Sequence, residues 1–360
     1  MHTRPAAGRR GRMPDMATSG SSALSRLAPG VLFSAGAAAL ALLLHAALPA
    51  VPWLTLSFLA GLALSWAATR LERTRGLRER AEPGIAWSGK KLMRFGVVLL
   101  GFVASLGDIA RLGWLPVVAT VLVVPASLAV TWALGRRLDR DERLLLATGF
   151  SICGASAISA MAAARGIDHR KTAIPTALVT ICGSLAIGLM PLLIALTHPS
   201  APAAGAWIGA SVHDVGQVVA AAQSSDALVA GAAGSVVALA VAVKMIRVVC
   251  LAPVTAAASR WGRRDSEGRG QAAPIVPLFV IGFVLALAAR TWLPIPEGVL
   301  HGIGLLRDTA LALALAALGA SVDPQALWNR GRSALAVALA AWAAILVLGW
   351  LVAMTTTLAA

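Results

Sequence analysis

The 360-residue chain is too apolar for a soluble protein. Its mean hydropathy is +0.79, with 58% hydrophobic and 13% charged residues, whereas a soluble domain carries about 25% charged residues. Apolar runs of about twenty residues recur along the chain, which predicts an all-α polytopic membrane protein. The formal net charge is +15, but the basic residues lie between apolar runs, as topology determinants do, which argues against a nucleic-acid partner.

In chain order, residues 1–26 carry five arginines without apolar periodicity, which predicts a disordered basic cytoplasmic tail. Residues 27–355 are predicted to form a single transmembrane transporter domain. The apolar runs predict about nine spans. They lie near 31–48, 53–69, 95–112, 114–134, 172–197, 228–258, 274–293, 302–318 and 333–353.

Two loops between these runs set the predicted orientation. Residues 70–94 and 135–143 are rich in arginine and lysine, which predicts that both are cytoplasmic. The N-terminus is then cytoplasmic as well, and the multi-pass chain is predicted to lie in a bacterial plasma (inner) membrane.

A twelve-residue pattern occurs twice, about sixty residues apart. Residues 149–160 and 209–220 both fit G-x-S-[IV]-x-x-x-[SG]-x-[IV]-x-A. Glycines and hydroxyl groups interrupt apolar helices only where the backbone is buried in protein or lines a cavity. A matched pair of interrupted segments is typical of a transporter's binding site.

The flanks of the two copies differ in charge. The first copy is bounded by basic residues on both sides, whereas neither side of the second carries lysine or arginine. This favours two re-entrant helices that enter from opposite sides and form an inverted repeat. Two broken helices that cross the bilayer completely are the alternative.

The second copy holds four polar side chains within seven residues, Ser211, His213, Asp214 and Gln217. Such groups are costly at membrane depth, which favours a binding role over mutual hydrogen bonding. Ser, His and Asp crowded on one segment make a poor catalytic triad, and no G-x-S-x-G or H-E-x-x-H motif is present. We therefore predict no catalytic residues and no enzyme.

The first copy offers Ser151, Gly154 and Ser156. Small residues of this kind either allow tight helix packing or form a cradle of exposed amides that binds an anion. The match to the second copy favours the cradle.

Lys244 and Arg247 stand three residues apart inside the 228–258 run, on one side of a helix. One interpretation gives them an anionic partner, either Asp214 or a transported anion. In the other, the span ends near Val243 and both side chains reach the cytoplasmic surface. Arg307/Asp308 and Asp108/Arg111 are weaker candidates that form local pairs.

The cysteines are Cys153, Cys182 and Cys250, all in apolar stretches without C-x-x-C spacing. We therefore predict no disulfide framework, no metal site and no cofactor.

At these residues the chain resembles a family of bacterial inner-membrane proteins described as sulfate exporters (YeiH-like). Four strings carry the resemblance, and together with the span layout they cover most of residues 25–355. They are Ser151-Ile-Cys-Gly154-Ala-Ser, Ser211-Val-His213-Asp214-Val-Gly-Gln217-Val-Val-Ala-Ala, Lys244-Met-Ile-Arg247-Val and Leu315-Ala-Ala-Leu-Gly319. Many relatives look to carry Glu-Val-Ala where this chain has Asp214-Val-Gly. The resemblance implies a secondary transporter of sulfate or a related sulfur oxyanion.

The predicted function is alternating-access transport of a small anion, with the bilayer and that solute as partners. Ser151, Gly154, Ser156, Ser211, Gln217, Lys244 and Arg247 are the predicted substrate-binding residues. His213 and Asp214 are predicted to couple a proton. A cation/proton antiporter that uses Asp214, with sodium or a proton as coupling ion, is the alternative, and a non-transporting receptor is a third candidate. Homo-oligomerisation is left open.

Overall fold

The computed structural model describes residues 19–49, 51–70, 72–103, 113–229, 231, 235–260, 278–322 and 332–358, and within these ranges every regular element is a helix. Residues 1–18 of the predicted tail lie outside this part of the chain, and the first helix begins at Ser19. The prediction of an all-helical membrane protein is confirmed. Six of the described helices are long and apolar enough to cross a membrane.

We number the helices in chain order. They are α1 (Ser19–Ala47), α2 (Trp53–Arg70), α3 (Glu72–Trp87), α4 (Met93–Leu100), α5 (Trp114–Leu134), α6 (Arg140–Ser151), α7 (Ala155–Arg165), α8 (Ala173–Thr197), α9 (Ala201–Ser211), α10 (Val215–Asp226), α11 (Ser235–Val249), α12 (Leu251–Arg260), α13 (Leu278–Trp292), α14 (Glu297–Ala320) and α15 (Arg332–Leu358). A π-helical turn, Ser88–Leu92, joins α3 to α4, and a 3-10 turn, His169–Thr172, precedes α8.

The predicted loop 70–94 is wrong as a loop. Apart from residue 71, which is not described, it belongs to the end of α2, α3, the π-helical turn and the start of α4. The polar composition of this range concealed α3. This helix packs against α1 through a close backbone approach at Gly30 and Gly84. Of the predicted span 95–112, the structure describes residues 95–100, in α4, and a turn at 101–103. Residues 104–112, with Asp108 and Arg111, lie outside the described residues.

The helices form two groups. The first group packs α1, α2, α3, α4, α13 and α14 together, and the second packs α5 to α12 with α15. Within the first group, Gly61 lies against the backbone of Ala316, where a Cβ would have no room. The groups meet mainly along α10, which touches α2, α4 and α14.

The α6–α7 segment is a hairpin whose two ends lie together. Lys171 Nζ, just after α7, is 2.7 Å from Asp141 Oδ2 and 3.3 Å from Asp139 Oδ2, at the start of α6. This exposed ion pair lowers the pKa of Asp139, chiefly through the hydrogen bond from Lys171. Ion pairs therefore hold the two ends of the first hairpin together at its base.

The α9–α10 segment is a second hairpin. Asp226 Oδ1, at the end of α10, accepts a hydrogen bond from Val236 N in the first turn of α11 at 3.1 Å. Gly205, in the first half of α9, faces the backbone of Val236 as well. Both ends of this hairpin thus lie beside the start of α11.

The continuous rod of α11 and α12 shows how the hairpins are arranged. The second hairpin has its base at the start of α11, as just described. Arg165 is the last residue of α7, and its Nη1 donates to Ala258 O, near the other end of the rod, at 3.1 Å. The two hairpins therefore approach from opposite ends of one rod, and their tips meet near its middle.

Candidate functional site

The site lies where the hairpin tips, residues 152–154 and 212–214, come together. Lys244 Nζ of α11 donates to Ile152 O at 2.7 Å and to Val212 O at 2.8 Å, so a single ammonium group holds both tips. The tips also touch directly, because a Cβ at Gly154 would lie 3.9 Å from His213 O. The repeated sequence pattern is thus a pair of adjacent breaks in space.

Arg247, one helical turn further along α11, makes a second bridge. Its Nη2 donates to Phe150 O and Ser151 O, each at 2.9 Å, and its Nη1 donates to Ala210 O at 2.6 Å. Both cations are 0% exposed. Their donors are directed at the carbonyl groups with which α6 and α9 end.

The physical reason for this pairing is the open end of each half-helix. The last four carbonyl groups of a helix lack intrahelical partners, and the C-terminus carries about half a negative charge. Lys244 and Arg247 satisfy both requirements for α6 and α9 at once. The interpretation in which the span ends near Val243 is wrong, because α11 continues to Val249, past both cations. Neither cation lies within ion-pairing distance of a described carboxylate, Asp214 included, and a transported anion as their partner stays a prediction.

The second tip carries its own carboxylate at the start of the outgoing helix. Asp214 caps α10, and its Oδ1 accepts from Gly216 N at 2.9 Å. Gln217 Oε1 accepts from Asp214 N at 3.3 Å, and Gln217 Nε2 donates to Thr180 O of α8 at 3.0 Å. This reciprocal capping box satisfies the free amides that begin α10.

The first tip has no such cap. Gly154 stands at the N-cap position of α7 with φ 69°, and no side chain bonds the first amides of the helix. This backbone conformation is strained for any residue with a Cβ. Ser156, in the first turn of α7, is exposed. The first tip is therefore neutral and accessible at the start of its outgoing helix.

Within the described ranges, two buried polar side chains at or next to the second tip have no hydrogen-bond partner, His213 in the tip and Ser211 at the end of α9. Both are 0% exposed, and neither ring nitrogen of His213 nor Ser211 Oγ has a hydrogen-bond partner among the described residues. The imidazole packs edge-on against Phe150, with 4.5 Å between ring centroids. Ser211 faces α15, where a Cβ at Gly349 would collide with its hydroxyl oxygen. Of the two, only His213 lies in the break itself.

The structure brings most of the predicted site residues together at the tips, although their side chains make different kinds of hydrogen bond. Ser151 Oγ donates to Ala147 O within its own helix at 2.6 Å. Sequence reasoning missed Met93 of α4, which packs against Gly216, and the α8 groups Thr180 and Ser184 that hold Gln217. Thr180 contributes its backbone carbonyl group, so the only available signal for these two contacts was the hydroxyl of Ser184 in an apolar span.

Among the cavities bordered by described residues, one lies between the helix groups and another lies beside them. The smaller, about 200 Å³, is lined by residues of both groups, including Gln223 and Asp226 of α10 and Arg307 of α14. The larger, about 450 Å³, runs along the first half of α14. Arg307 borders both, with its Nε and Nη2 bound to the Asp308 carboxylate at 2.8 and 3.0 Å. In the described ranges, no three His, Cys, Asp or Glu side chains converge as a metal site requires.

The helices and paired tips define a multi-pass membrane protein. The family model Conserved hypothetical protein 698 matches residues 29–338. The chain belongs to this family, the UPF0324 (YeiH-like) membrane proteins, which confirms the resemblance found in the sequence.

Curated relatives support this assignment over most of their length. A UPF0324 membrane protein of Corynebacterium glutamicum is 32% identical over 312 residues, 86% of each chain. The UPF0324 membrane protein TauZ of Paracoccus pantotrophus is 37% identical over 324 residues, 87% of this chain and 90% of its own. A Pseudomonas aeruginosa member is 32% identical over 344 residues, 91% of this chain and 93% of its own. No solved structure matches the chain.

Proposed function

We propose that the protein is a secondary-active transporter of a small anion, which it moves across the membrane without chemical change. In this proposal the hairpins are re-entrant and form an inverted repeat. The base of the first hairpin carries Arg140, Arg165 and Lys171 and is cytoplasmic by the positive-inside rule, as is the N-terminus. The base of the second hairpin, at the other end of α11–α12, then faces outward.

The charge balance at the tips supports an anion as the solute. Lys244 and Arg247 contribute two positive charges and Asp214 one negative charge. The two helix C-termini and two N-termini each contribute about half a charge, so these contributions cancel. Among the described residues at the tips, the remaining formal charge is about +1 if Asp214 is ionised, which favours binding of an anion.

The location of the anion follows from which helix ends are already matched. The carbonyl ends of α6 and α9 face cations, and the amide end of α10 carries Asp214. Only the amide end of α7 lacks a matching charge or side-chain cap. Free amides at a helix N-terminus bind oxyanions well. Gly154 N itself donates to Gly149 O at 3.0 Å, so we assign the anion to the amides that follow it in the first turn of α7, at Ser156, with His213 as the unpaired polar group beside it.

This assignment changes the proposed role of the two buried cations. Arg247 donates to carbonyl groups through Nε, Nη1 and Nη2, and Lys244 Nζ donates to two carbonyl groups. In this proposal both cations position the tips and supply the positive field, while the solute contacts α7. The capping bond of Asp214 to Gly216 N likewise favours a positioning role for that carboxylate over direct cation binding.

Alternating access requires two bodies that move relative to each other. The two helix groups meet mainly along α10, and the 200 Å³ cavity lies between them. We propose that the second group, which carries both tips, moves against the first. This cavity would then open toward the outer side.

Binding and flux measurements test the function. Purified protein is heated with sulfate, sulfite, short sulfonates or monovalent cations, since the family resemblance points to sulfur oxyanions first. We expect at least one anion to raise the unfolding midpoint and to exchange across proteoliposomes. Stabilisation by sodium alone, with sodium-dependent proton flux abolished by Asp214→Asn, would instead identify a cation/proton antiporter. Anion binding without any flux would identify a receptor.

A further inference from the structure

We infer that His213, in the second hairpin tip, carries a proton that moves with the solute, so that a divalent oxyanion such as sulfate crosses the membrane together with one proton. The inference rests on the proposed function and adds a coupling ion and a solute charge to it. It also divides the predicted coupling pair, because it assigns the proton to His213 and not to Asp214.

The imidazole of His213 lies at the break in the first hairpin. Its ring packs against Phe150 with 4.5 Å between the ring centroids, and a Cβ at Gly154 would lie 3.9 Å from His213 O. Phe150 belongs to the last turn of α6, which lies against the first turn of α7. Gly154 N donates to Gly149 O at 3.0 Å, and a Cβ at Gly149 would lie 2.7 Å from Ile158 Cδ1. His213 is therefore next to the helix end that we assign to the anion.

The two predicted coupling side chains differ in whether they are already bonded. The Asp214 carboxylate accepts from Gly216 N and caps α10. The imidazole of His213 is buried, and neither of its nitrogens has a hydrogen-bond partner among the described residues. A neutral imidazole offers one donor and one acceptor, and leaving such groups unbonded in an interior is costly. An oxyanion at the first turn of α7 removes this cost by bonding the ring.

The charged groups around His213 decide when the imidazole takes up a proton. Lys244 and Arg247 of α11 act on it directly, and the other titratable groups of the two tips are Cys153 and Asp214. The charged residues of α6 lie at its other end, at the base of the hairpin. Without an anion, an imidazolium would be a third positive charge beside two cations, with no acceptor among the described residues, which is unfavourable.

A bound oxyanion supplies both the acceptor and the opposite charge, so the proton and the anion bind together. With the imidazole charged, the remaining charge at the tips rises from about +1 to about +2. This charge matches that of a divalent oxyanion, which is why the inference names one.

The proton and the anion then move as one unit. On one side of the membrane, water delivers the proton to a ring nitrogen of His213, and the anion binds at the first turn of α7. On the other side the anion leaves, and the imidazolium, which has lost its acceptor, returns the proton to water. No covalent bond to the solute forms. For sulfate, one coupled proton leaves one negative charge to move with the solute.

Titration calorimetry of the unchanged chain measures the coupled proton. Sulfate is titrated in pairs of buffers with different ionisation enthalpies, between about pH 5 and 8, where an imidazole titrates. Because the bound protein holds one proton more than the free protein, we expect uptake of about one proton per sulfate and an affinity that falls up to about tenfold per pH unit as the pH rises. Sulfate binding without proton uptake across this range would overturn the inference.

Three variants assign the proton to a residue. His213→Gln keeps a side chain that forms hydrogen bonds but does not titrate, Asp214→Asn removes the other predicted coupling group, and His301→Gln is the matched control at an exposed position of α14. In proteoliposomes we expect His213→Gln to exchange labelled sulfate for sulfate but to lose sulfate-driven proton movement, which an internal pH dye reports. The other two variants should keep both activities.

The remaining outcomes separate this inference from the proposed function. Proton movement that persists in His213→Gln, or that disappears in Asp214→Asn, would contradict the role of His213. If His213→Gln does not fold, the calorimetric proton count of Asp214→Asn decides, because we expect it to equal that of the unchanged chain. If the unchanged chain binds no anion, the proposed function itself falls. If it binds anions other than sulfate, or exchanges sulfate without moving protons, only this inference falls.

Discussion

The first hairpin tip, residues 152–154, and the second, residues 212–214, differ at the start of the helix that leaves each of them. Both incoming helices end on carbonyl groups held by Lys244 and Arg247. The outgoing α10 begins with a carboxylate cap, whereas α7 begins with Gly154 and no cap. A symmetric backbone thus carries an asymmetric charge, and the uncapped end is where we expect the solute.

The largest expected loss of stability concerns Arg247, whose side chain holds both hairpins. Arg247→Met removes the donors that satisfy Phe150 O, Ser151 O and Ala210 O. Because charge-assisted hydrogen bonds are worth about 1.5–3 kcal/mol each and the orphaned groups stay buried, we expect a loss of at least about 3 kcal/mol. Thermal unfolding in detergent measures it.

The control for that variant is Arg137→Met, which removes an exposed arginine from the loop before α6. It should leave the unfolding midpoint unchanged. An Arg247→Met protein that is as stable as the unchanged chain but no longer binds anions would contradict the positioning role. Arg247 would then contact the solute directly.

Gly154→Ala addresses the backbone of the first tip. With φ 69° at this position, an added Cβ is strained, and its nearest neighbour would be Val179 Cγ1 at 3.2 Å. We expect a cost of about 1–3 kcal/mol and a matching loss of anion binding. Gly188→Ala, at a site in α8 with open space around it, is the control. A fully stable Gly154→Ala protein would show that the tip can relax.

Ser156→Asp gives the first tip the charge that the second already has. A carboxylate in the first turn of α7 stabilises the helix by about 0.3–1 kcal/mol and should compete with the solute. We therefore expect unchanged or higher stability together with an anion affinity that falls about tenfold or more. Calorimetric titration measures the affinity, and Ser156→Asn controls for shape. Unchanged anion affinity would show that the anion does not bind at the start of α7.

Gln217→Ala weakens the second tip without touching its charge. The variant loses the bonds to Asp214 N and Thr180 O, each worth about 1 kcal/mol net. We expect a loss of about 1–2 kcal/mol and a retained preference for anions. If anion binding disappears while the fold survives, Gln217 contacts the solute.

The smallest effect concerns the base of the first hairpin. Lys171→Met removes the exposed pairs with Asp139 and Asp141, and exposed pairs contribute little. The lowered pKa of Asp139 means that its contribution is present above the carboxyl's ordinary pKa and is lost as the pH falls through the lowered one. Near neutral pH we expect a small fall in midpoint and unchanged flux. A large fall in the unfolding midpoint would show that the ion pairs at the base of the first hairpin stabilise the fold.

Periodicity and loop charge predicted much of the fold. The span 114–134 coincides with α5, and the doubled pattern located both tips. Helix α3, inside the predicted loop 70–94, was missed because it is too polar to resemble a span. The partners of Lys244 and Arg247 were missed for a different reason. They are backbone carbonyl groups from segments 32 to 97 residues away, and no side-chain pattern records a carbonyl.

Current recorded from proteoliposomes on a solid support tests the central claim most directly. The unchanged protein is exposed to concentration jumps of sulfate, sulfite and short sulfonates, and separately of sodium at constant anion. The account predicts a saturable current whose sign is that of a negative charge moving with the anion. Ser156→Asp should reduce this current, and Lys171→Met should leave it unchanged. A current that follows sodium alone and disappears in Asp214→Asn would contradict it.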